Sequence, residues 1–149
     1  MIGKSNIGER IKNTTGGLQL DTFTAGATGD NTLYTGDAVD RMGFGSCQVQ
    51  MNSTLTLASG ETFKNTINIY DCATSGGTYT LFSNLLNAGT IATGTATGGK
   101  YASRYNVDLS GAKRYIKIDS KADLSASGTD TAKYLLQLVL GGADVTPIS

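Results

Sequence analysis

The 149-residue chain contains no histidine and no tryptophan, a single proline and only two glutamates. Histidine is the usual general base and a frequent metal ligand, so its absence removes the most common route to acid–base catalysis and to zinc binding. A serine or cysteine nucleophile would lack its customary partner. A pair of glycosidase carboxylates would need an aspartate, because neither Glu9 nor Glu61 lies in a segment that resembles a buried acid. We therefore expect no enzymatic activity, no cofactor and no metal ion.

Charge is sparse and balanced. Charged residues make up 16% of the chain, and 12 basic residues cancel 12 acidic ones. Nucleic acids and anionic membranes attract proteins through a field of one sign, so we expect neither as a partner. The longest apolar run, residues 135–140, is far shorter than the ~20 residues of a membrane span. The start of the chain lacks the apolar stretch of a secretory signal, which predicts a reducing compartment with Cys47 and Cys72 as free thiols.

The residues that are abundant favour strands and turns. Threonine is β-branched and suits a pleated surface, while the 20 glycines and the asparagines favour turns. The best helical candidate is one turn at Asn84–Ala88, so the chain is predicted to be all-β. Roughly seven to nine short strands joined by Gly/Ser/Thr turns indicate an antiparallel β-sandwich, jelly-roll-like. Residues 1–17 are polar and are expected to form an extended N-terminal arm before a single domain over residues 18–149.

Residues 46–72 show the clearest strand pattern. Their odd positions are apolar on both sides of a glycine-containing turn, and this alternation predicts a β-hairpin. The register that keeps both apolar sets on one face pairs Val49 with Ile69. In that register Cys47 lies opposite Asp71 rather than opposite a second cysteine.

Two later segments complete the predicted sandwich. Ala132–Leu140 is the most apolar strand and is expected at the centre of a sheet, covered on both faces. Residues 120–130 are expected to form a polar loop. Tyr115–Asp119, just before that loop, is predicted to be a strand with Ile116 and Ile118 facing inward.

Two motifs resemble ligand sites without completing them. Gly94–Lys100 matches the start of a phosphate-binding loop, but Tyr101 stands where the magnesium-binding Ser or Thr should be, and a strand pattern follows. Asp30, Asp37 and Asp40 could offer oxygens to calcium, but their spacing is not that of an EF-hand, and aspartate is also an ordinary turn residue. Both motifs are interpreted as turns.

Aromatic and basic side chains recur in the predicted strands. A sugar or peptide platform could form from five tyrosines that fall in or beside strands: Tyr70, Tyr79, Tyr101, Tyr105 and Tyr115. The alternative is packing at the edge of the core, with each hydroxyl group reaching water. A basic trio, Lys113, Arg114 and Lys117, lies near one turn and suits either a solvated strand end or an acidic partner.

Two stretches resemble small virion proteins of tailed-bacteriophage head gene clusters, over roughly residues 39–82 and 105–140. The first contains Val39-Asp40-Arg41, Leu57-Ala58-Ser59-Gly60-Glu61-Thr62-Phe63, Ile67-Asn68-Ile69-Tyr70-Asp71 and Gly76-Gly77-Thr78-Tyr79. The second is Val107-Asp108-Leu109-Ser110-Gly111-Ala112-Lys113-Arg114-Tyr115-Ile116-Lys117-Ile118. The polar residues 1–38 and the two cysteines depart from the pattern.

This resemblance implies a capsid decoration or cement protein with a β-sandwich or jelly-roll fold and no active site. Such a protein binds the major capsid protein at joints between capsomers, on the outer surface of a head assembled in the host cytoplasm. It also implies self-association, with a homotrimer favoured over a homodimer. Within the arm, Lys4, Arg10 and Lys12 are candidate capsid contacts, since an arm of this kind can order on a neighbouring molecule.

Two other functions remain open at this stage. One is a host- or glycan-binding β-sandwich on the virion surface, which an exposed tyrosine cluster beside a concave sheet would favour. The other is a structural component of the tail tube or neck, which would form rings.

Overall fold

The structure is a computed structural model that describes residues 10–94, 99–126 and 128–143. None of the described segments is a helix long and apolar enough to cross a membrane. The strands are β1 (Ile11–Asn13), β2 (Leu18–Thr24), β3 (Leu33–Thr35), β4 (Val39–Asp40), β5 (Phe44–Thr56), β6 (Thr62–Cys72), β7 (Thr80–Thr93), β8 (Gly99–Asp108), β9 (Tyr115–Leu124) and β10 (Thr131–Ala143).

The strands form two antiparallel sheets. In the first sheet β1 and β2 both pair with β10, and the order continues through β5 to β8. In the second sheet β3 and β4 both pair with β9, and the order continues through β6 to β7. Most connections carry the chain from one sheet to the other. The result is a jelly-roll sandwich, which confirms the predicted fold class.

The core lies between the two sheets and is built by period-two alternation. Val49 and Met51 on β5 and Ile67 and Ile69 on β6 are fully buried. The residues between them on each strand are half-buried or exposed, so each sheet keeps one wet face. The two outer faces are therefore the surfaces on which function has to be sought.

The predicted β5–β6 hairpin is wrong, although the predicted inward faces are right. Val49 lies opposite Leu138 and Tyr105 in the first sheet, whereas Ile69 belongs to the second sheet. The turn at residues 57–61 crosses between the sheets, and the left-handed backbone of Gly60 (φ 84°) supports it. Alternation specifies which face of a strand is apolar, and two apolar faces can meet across a core as well as side by side.

The same crossing separates the two cysteines. Cys47 lies opposite Leu140 and Val107 rather than opposite Asp71. Cys72 lies in the other sheet, and both thiols are free and buried. The predicted free thiols are therefore found, but in a different pairing.

Three segments of the second half differ from expectation. Strand β9 runs on to Leu124 where a polar loop over residues 120–130 was predicted, because small and apolar residues continue to face inward at every second position. Asn84–Ala88 belongs to the strand β7, whose register shifts let consecutive leucines approach the core and so imitate a helical turn. Strand β10 is central as predicted, but Leu135 on its outer face is 40% exposed, so the strand is not covered on both faces.

Part of the predicted N-terminal arm lies within the described residues. Residues 1–9, which include Lys4, lie outside them. Strand β1 extends along β10, with Lys12 opposite Leu140. Just after it, the Thr14 hydroxyl donates a hydrogen bond to the Leu138 carbonyl oxygen (2.7 Å). The binding of residues 1–17 to a neighbouring molecule remains a prediction.

Candidate functional site

Two of the three candidate capsid contacts, Arg10 and Lys12, lie next to or in the edge strand β1 of the first sheet. Arg10 and Lys12 are both exposed. Lys12 interacts electrostatically with Asp40, which lies on β4 in the other sheet. Arg114 binds Asp40 through a bidentate ion pair, with 2.7 Å between Nη2 and Oδ2. Hydrogen bonds from Arg114 lower the pKa of Asp40, and the charge of Lys12 adds to the effect. This edge therefore presents cations from both sheets around one carboxylate.

Arg41 fixes the shape of the same edge. Its Nε donates to the Lys113 carbonyl oxygen (2.9 Å), and its two terminal nitrogens donate to the carbonyl oxygens of Phe44 and Ala112. The guanidinium thereby ties the turn before β5 to the turn before β9. Arg41 is consequently a structural clamp and is not available to a partner.

Three of the acidic residues singled out in the sequence, Asp30, Asp40 and Glu61, have local structural roles. Asp37 is exposed, and Glu9 lies outside the described residues. Asp30 accepts hydrogen bonds from the backbone N–H groups of Gly26 and Leu124. Glu61 accepts one from the Ser125 hydroxyl (2.6 Å). Among residues 10–94, 99–126 and 128–143, no three His, Cys, Asp or Glu side chains gather where a metal ion could be held. Asp30 and Asp40 both accept hydrogen bonds from neighbouring backbone or arginine groups, as aspartates in turns commonly do.

The Gly94–Lys100 motif falls only partly within the described chain. Residues 95–98 lie outside it, and Gly99 and Lys100 already belong to strand β8. A phosphate-binding loop opens a helix, so this strand is the wrong context for one.

Three of the five tyrosines come together on the outer face of the second sheet. Tyr70 lies between Lys117 on β9 and Leu81 on β7, and the Leu81 side chain is 58% exposed. Tyr79 and Tyr115 adjoin this row. We call the four residues Tyr70, Tyr79, Leu81 and Tyr115 the tyrosine patch. Tyr101 and Tyr105 do not belong to it, because they pack against the core from the edge strand β8.

Cations lie over the rings of the tyrosine patch. Lys117 Nζ is 4.5 Å from the ring centroid of Tyr79, and Arg114 Cζ is 5.2 Å from that of Tyr115. Such contacts are worth ~0.5–1 kcal/mol at exposed sites. Burial, followed by the neighbouring Cys72 and Tyr115 groups, raises the pKa of Tyr79. The basic trio of the sequence therefore divides, because only Arg114 and Lys117 stack on aromatic rings.

Its third member, Lys113, helps to hold the patch in place through Asp71. The buried Asp71 carboxylate accepts hydrogen bonds from the Lys113 backbone N–H (2.9 Å) and the Thr80 hydroxyl (3.0 Å). Lys113 Nζ lies 3.4 Å from the same carboxylate. Burial alone would raise the pKa of Asp71, but these bonds and the lysine charge together lower it. Asp71 thus joins β6, β7 and the turn before β9 directly beneath the patch.

The sequence did not reveal a second surface, on the outer face of the first sheet. Here β10, β5 and β8 present a shallow depression that we call the amide trough. It is lined by amide side chains and three cations, including Gln48, Gln50, Asn52, Lys100, Arg104 and Lys133. The even-numbered polar positions of β5 were visible in the sequence, but the partner strands were assigned wrongly, so their neighbours across the sheet were unknown.

Comparisons with known proteins establish the fold. No protein-family model matches the chain, and no match is found among curated proteins. Solved structures of infectious bursal disease virus do match. The viral particle described as T13 aligns over 93% of this chain with a TM-score of 0.53 and 13% identity. The VP2 subviral particle aligns over 91% with a TM-score of 0.51 and 12% identity.

The chain spans about a third of the length of these viral chains, 33% of each. A third structure, of the Gx strain, aligns over 93% of this chain and 34% of its own length, with 14% identity and a TM-score of 0.50. At such identities the likeness establishes a shared architecture. The chain accordingly has a viral-capsid-like β-sandwich.

Proposed function

We propose that this chain is a structural virion protein that decorates and cements the capsid of a tailed bacteriophage. In this proposal it binds the major capsid protein at joints between capsomers, on the outer surface of a head assembled in the host cytoplasm. It acts without catalysis, cofactor or metal ion. The sequence resemblance to phage head proteins supports this role, and the capsid-like sandwich is compatible with it.

The tyrosine patch is the observation that bears most on the proposal. Tyrosine is enriched at the energetic centres of protein interfaces, because its ring buries much area at a small entropic cost. Here Tyr70 and Tyr115 lie on strands of one sheet, which is a rigid support, and Leu81 stands largely exposed beside them. We infer that this patch faces the shell. Asp71 fixes its geometry before binding, which lowers the entropic cost of association.

Self-association and multiple copies fit the same role. We expect a homotrimer in preference to a homodimer, so that several weak patches act together on one shell. Light scattering on the purified protein would then give three times the chain mass of 15.4 kDa. A monomer at all concentrations tested would remove the self-association from the proposal.

The basic residues of the N-terminal segment are proposed as secondary contacts. Lys12 adds a cation to the edge around Asp40, and Arg10 and Lys4 precede it in the sequence. Deletion of residues 1–9 tests the part of the arm that contains Lys4, because it leaves the pairing of β1 with β10 intact. We expect weaker occupancy of heads, and unchanged occupancy would exclude residues 1–9 as a contact.

Co-sedimentation with phage heads that lack the protein tests the main contact. We expect Tyr70→Ala and Leu81→Ser to reduce the bound fraction about tenfold or more, as the loss of an interface anchor does. The matched control is Leu135→Ser, an exposed leucine on the outer face of the other sheet. Equal loss in the patch variants and the control would contradict the assignment of this face.

A further inference from the structure

The amide trough is a continuous surface along three strands. Leu135 of β10 lies opposite Asn52 of β5, which in turn lies opposite Ala102 of β8. Around this row is a hollow of about 440 Å³. A second hollow of about 430 Å³ begins where Gln50 lies opposite Arg104. Each volume falls within the ~300–1,000 Å³ usual for small-ligand sites. Neither hollow is part of the tyrosine patch.

The trough is basic although the whole chain is neutral. Lys133 and Lys100 flank Thr54 in one row, about 10 Å apart by the spacing of two strands. Arg104 follows two rows along β8. Two carboxylates border the trough, Asp108 at the far end of β8 and the exposed Asp21 on β2, beside the register shift at Lys133. Among the described residues, however, those that line the two hollows include three cations and no carboxylate, and this predicts an acidic ligand.

The floor between the cations is made of amides. Gln48 Nε2 donates to Asn106 Oδ1 (2.7 Å), and Gln50 Nε2 donates to Gln48 Oε1 (2.6 Å). These bonds align the three side chains in one ladder. Each amide has two N–H donors and an oxygen with two lone pairs, so the ladder keeps free donors and acceptors on the open side. A row of preoriented amides matches a ligand that offers many hydroxyl groups.

The length of the trough indicates a polymer. From Lys133 to Gly141 the face covers about 26 Å along β10 at ~3.3 Å per residue. A peptide lying on the face of a sheet finds no free backbone ladder. Tyr101 borders one hollow but packs against the core, so among the described residues the open face lacks the exposed aromatic anchor that peptide interfaces use. Leu135 and Ala102 offer only small apolar surfaces, which suit the flat side of a sugar ring.

We propose that the amide trough binds an acidic polysaccharide, with uronate-type carboxylates at Lys100, Lys133 and Arg104 and sugar hydroxyls on the Gln48–Gln50–Asn106 ladder. This site goes beyond the proposed capsid role and lies on the opposite sheet from the tyrosine patch. A cement protein that faces the shell with one sheet would present the other to the outside, where surface polysaccharides of a host are met. The two assignments can fail separately.

Isothermal titration calorimetry with pentagalacturonic acid tests the proposal directly. The neutral cellopentaose and a pentaglutamate peptide serve as comparison ligands. We expect the acidic sugar to bind about tenfold more tightly than either, and Lys100→Gln/Lys133→Gln to lose about tenfold. Gln48→Ala/Gln50→Ala should lose a similar factor, since charge alone is not the recognition. Lys64→Gln/Lys121→Gln, on the other sheet, should bind as the unmodified protein does.

Three outcomes would overturn the proposal. They are no binding of the acidic sugar up to about 1 mM, pentaglutamate binding as tight as that of the sugar, and equal losses in the two lysine pairs. Thermal melting of each variant controls for folding. Lys100, Lys121 and Lys133 are exposed, whereas Gln48, Gln50 and Lys64 are half-buried. Binding of the trough variants to phage heads is measured in parallel. We expect it to be unchanged, because the amide trough and the capsid contact lie on opposite sheets.

Discussion

The Tyr134 hydroxyl lies 3.0 Å from Ser120 Oγ, across the core from one sheet to the other. Ser120 Oγ donates its own hydrogen to Asn65 Oδ1 at 2.9 Å, so Tyr134 is the donor in the contact with Ser120. All three side chains are buried. A satisfied polar chain in an apolar core fixes how the two sheets register against each other, because any shift would leave one of its members unpaired.

The hydrogen bonds of Tyr134, Ser120 and Asn65 predict that two conservative substitutions lower the free energy of unfolding by unequal amounts. Tyr134→Phe removes one donor and leaves the Ser120–Asn65 bond in place, so it should lower the free energy of unfolding by ~1 kcal/mol. Ser120→Ala leaves both the Tyr134 hydroxyl and Asn65 Oδ1 without this partner, and should cost ~2–3 kcal/mol. Urea unfolding measures both values.

The double variant and a control complete that test. Tyr134→Phe/Ser120→Ala should cost less than the sum of the single changes, since both act on one bond. The half-buried Tyr101, for which no hydrogen bond to a described residue is found, is the control, and Tyr101→Phe should be close to neutral. Additive costs, or a larger cost for Tyr134→Phe than for Ser120→Ala, would contradict the network.

Stability should fall at alkaline pH because two buried groups resist ionisation. Burial raises the pKa of Cys47 from 9.0 to about 12 and that of Tyr134 from 10.0 to about 12. A raised folded-state pKa gives full stability below the unfolded value and loses it as the pH rises toward 12. Above pH ~9 the loss should approach ~1.4 kcal/mol per pH unit for the thiol, and Tyr134 should add to it above pH ~10.

Unfolding curves between pH 8 and pH 11, with and without Cys47→Ala, would measure this dependence. The variant should keep a flat profile up to about pH 10, where tyrosine begins to ionise in the unfolded chain. An identical profile for both proteins would show that Cys47 titrates freely in the folded state.

Asp71 predicts the opposite behaviour in acid. Its pKa is lowered in the folded protein, so its contribution is complete above the unfolded value of ~3.9 and disappears as the pH falls through the folded value. Asp71→Asn should cost ~1–3 kcal/mol at pH 7, because an amide cannot accept from both Thr80 and the Lys113 N–H with equal geometry. The exposed Asp37→Asn is the control, and a cost as large as that of Asp71→Asn would refute this role.

Both cysteines should be unreactive until the chain unfolds. Cys47 is 4% exposed and Cys72 is 6% exposed, and they lie in different sheets. Ellman's reagent should label neither thiol in the native protein and both after denaturation without reductant. Rapid labelling of the native protein, or fewer than two thiols after unfolding, would contradict the burial or the free state of these residues.

The sequence predicted the faces of the strands but not their partners. The odd residues of β5 and β6 are buried as expected, yet the strands lie in different sheets. A short glycine turn suits a hairpin and a crossover equally, and only the remaining strands decide between them. Central β10, which lies beside both β2 and β5, takes the place next to β5 that the sequence had assigned to β6. Long-range pairing of this kind leaves no local signal.

Because strand partners could not be predicted, the sequence identified single residues of the candidate sites but not their contacts. Tyr79 and Lys117 could be singled out separately, but their contact joins the end of the loop before β7 to the first part of the distant strand β9. The amide trough was invisible for a further reason, because its residues come from three strands whose order was unknown. Arg10 and Lys12 could be named from composition, whereas the reach of Lys12 toward Asp40 depends on β1 adding to the edge of β10.

Electron cryomicroscopy of phage heads incubated with the purified protein tests the central claim most directly. The account predicts added density at capsomer joints on the outer surface, into which the jelly roll fits with the tyrosine patch toward the shell and the amide trough toward solvent. Heads without added density, or density that meets the shell through the β10–β5–β8 face, would contradict it.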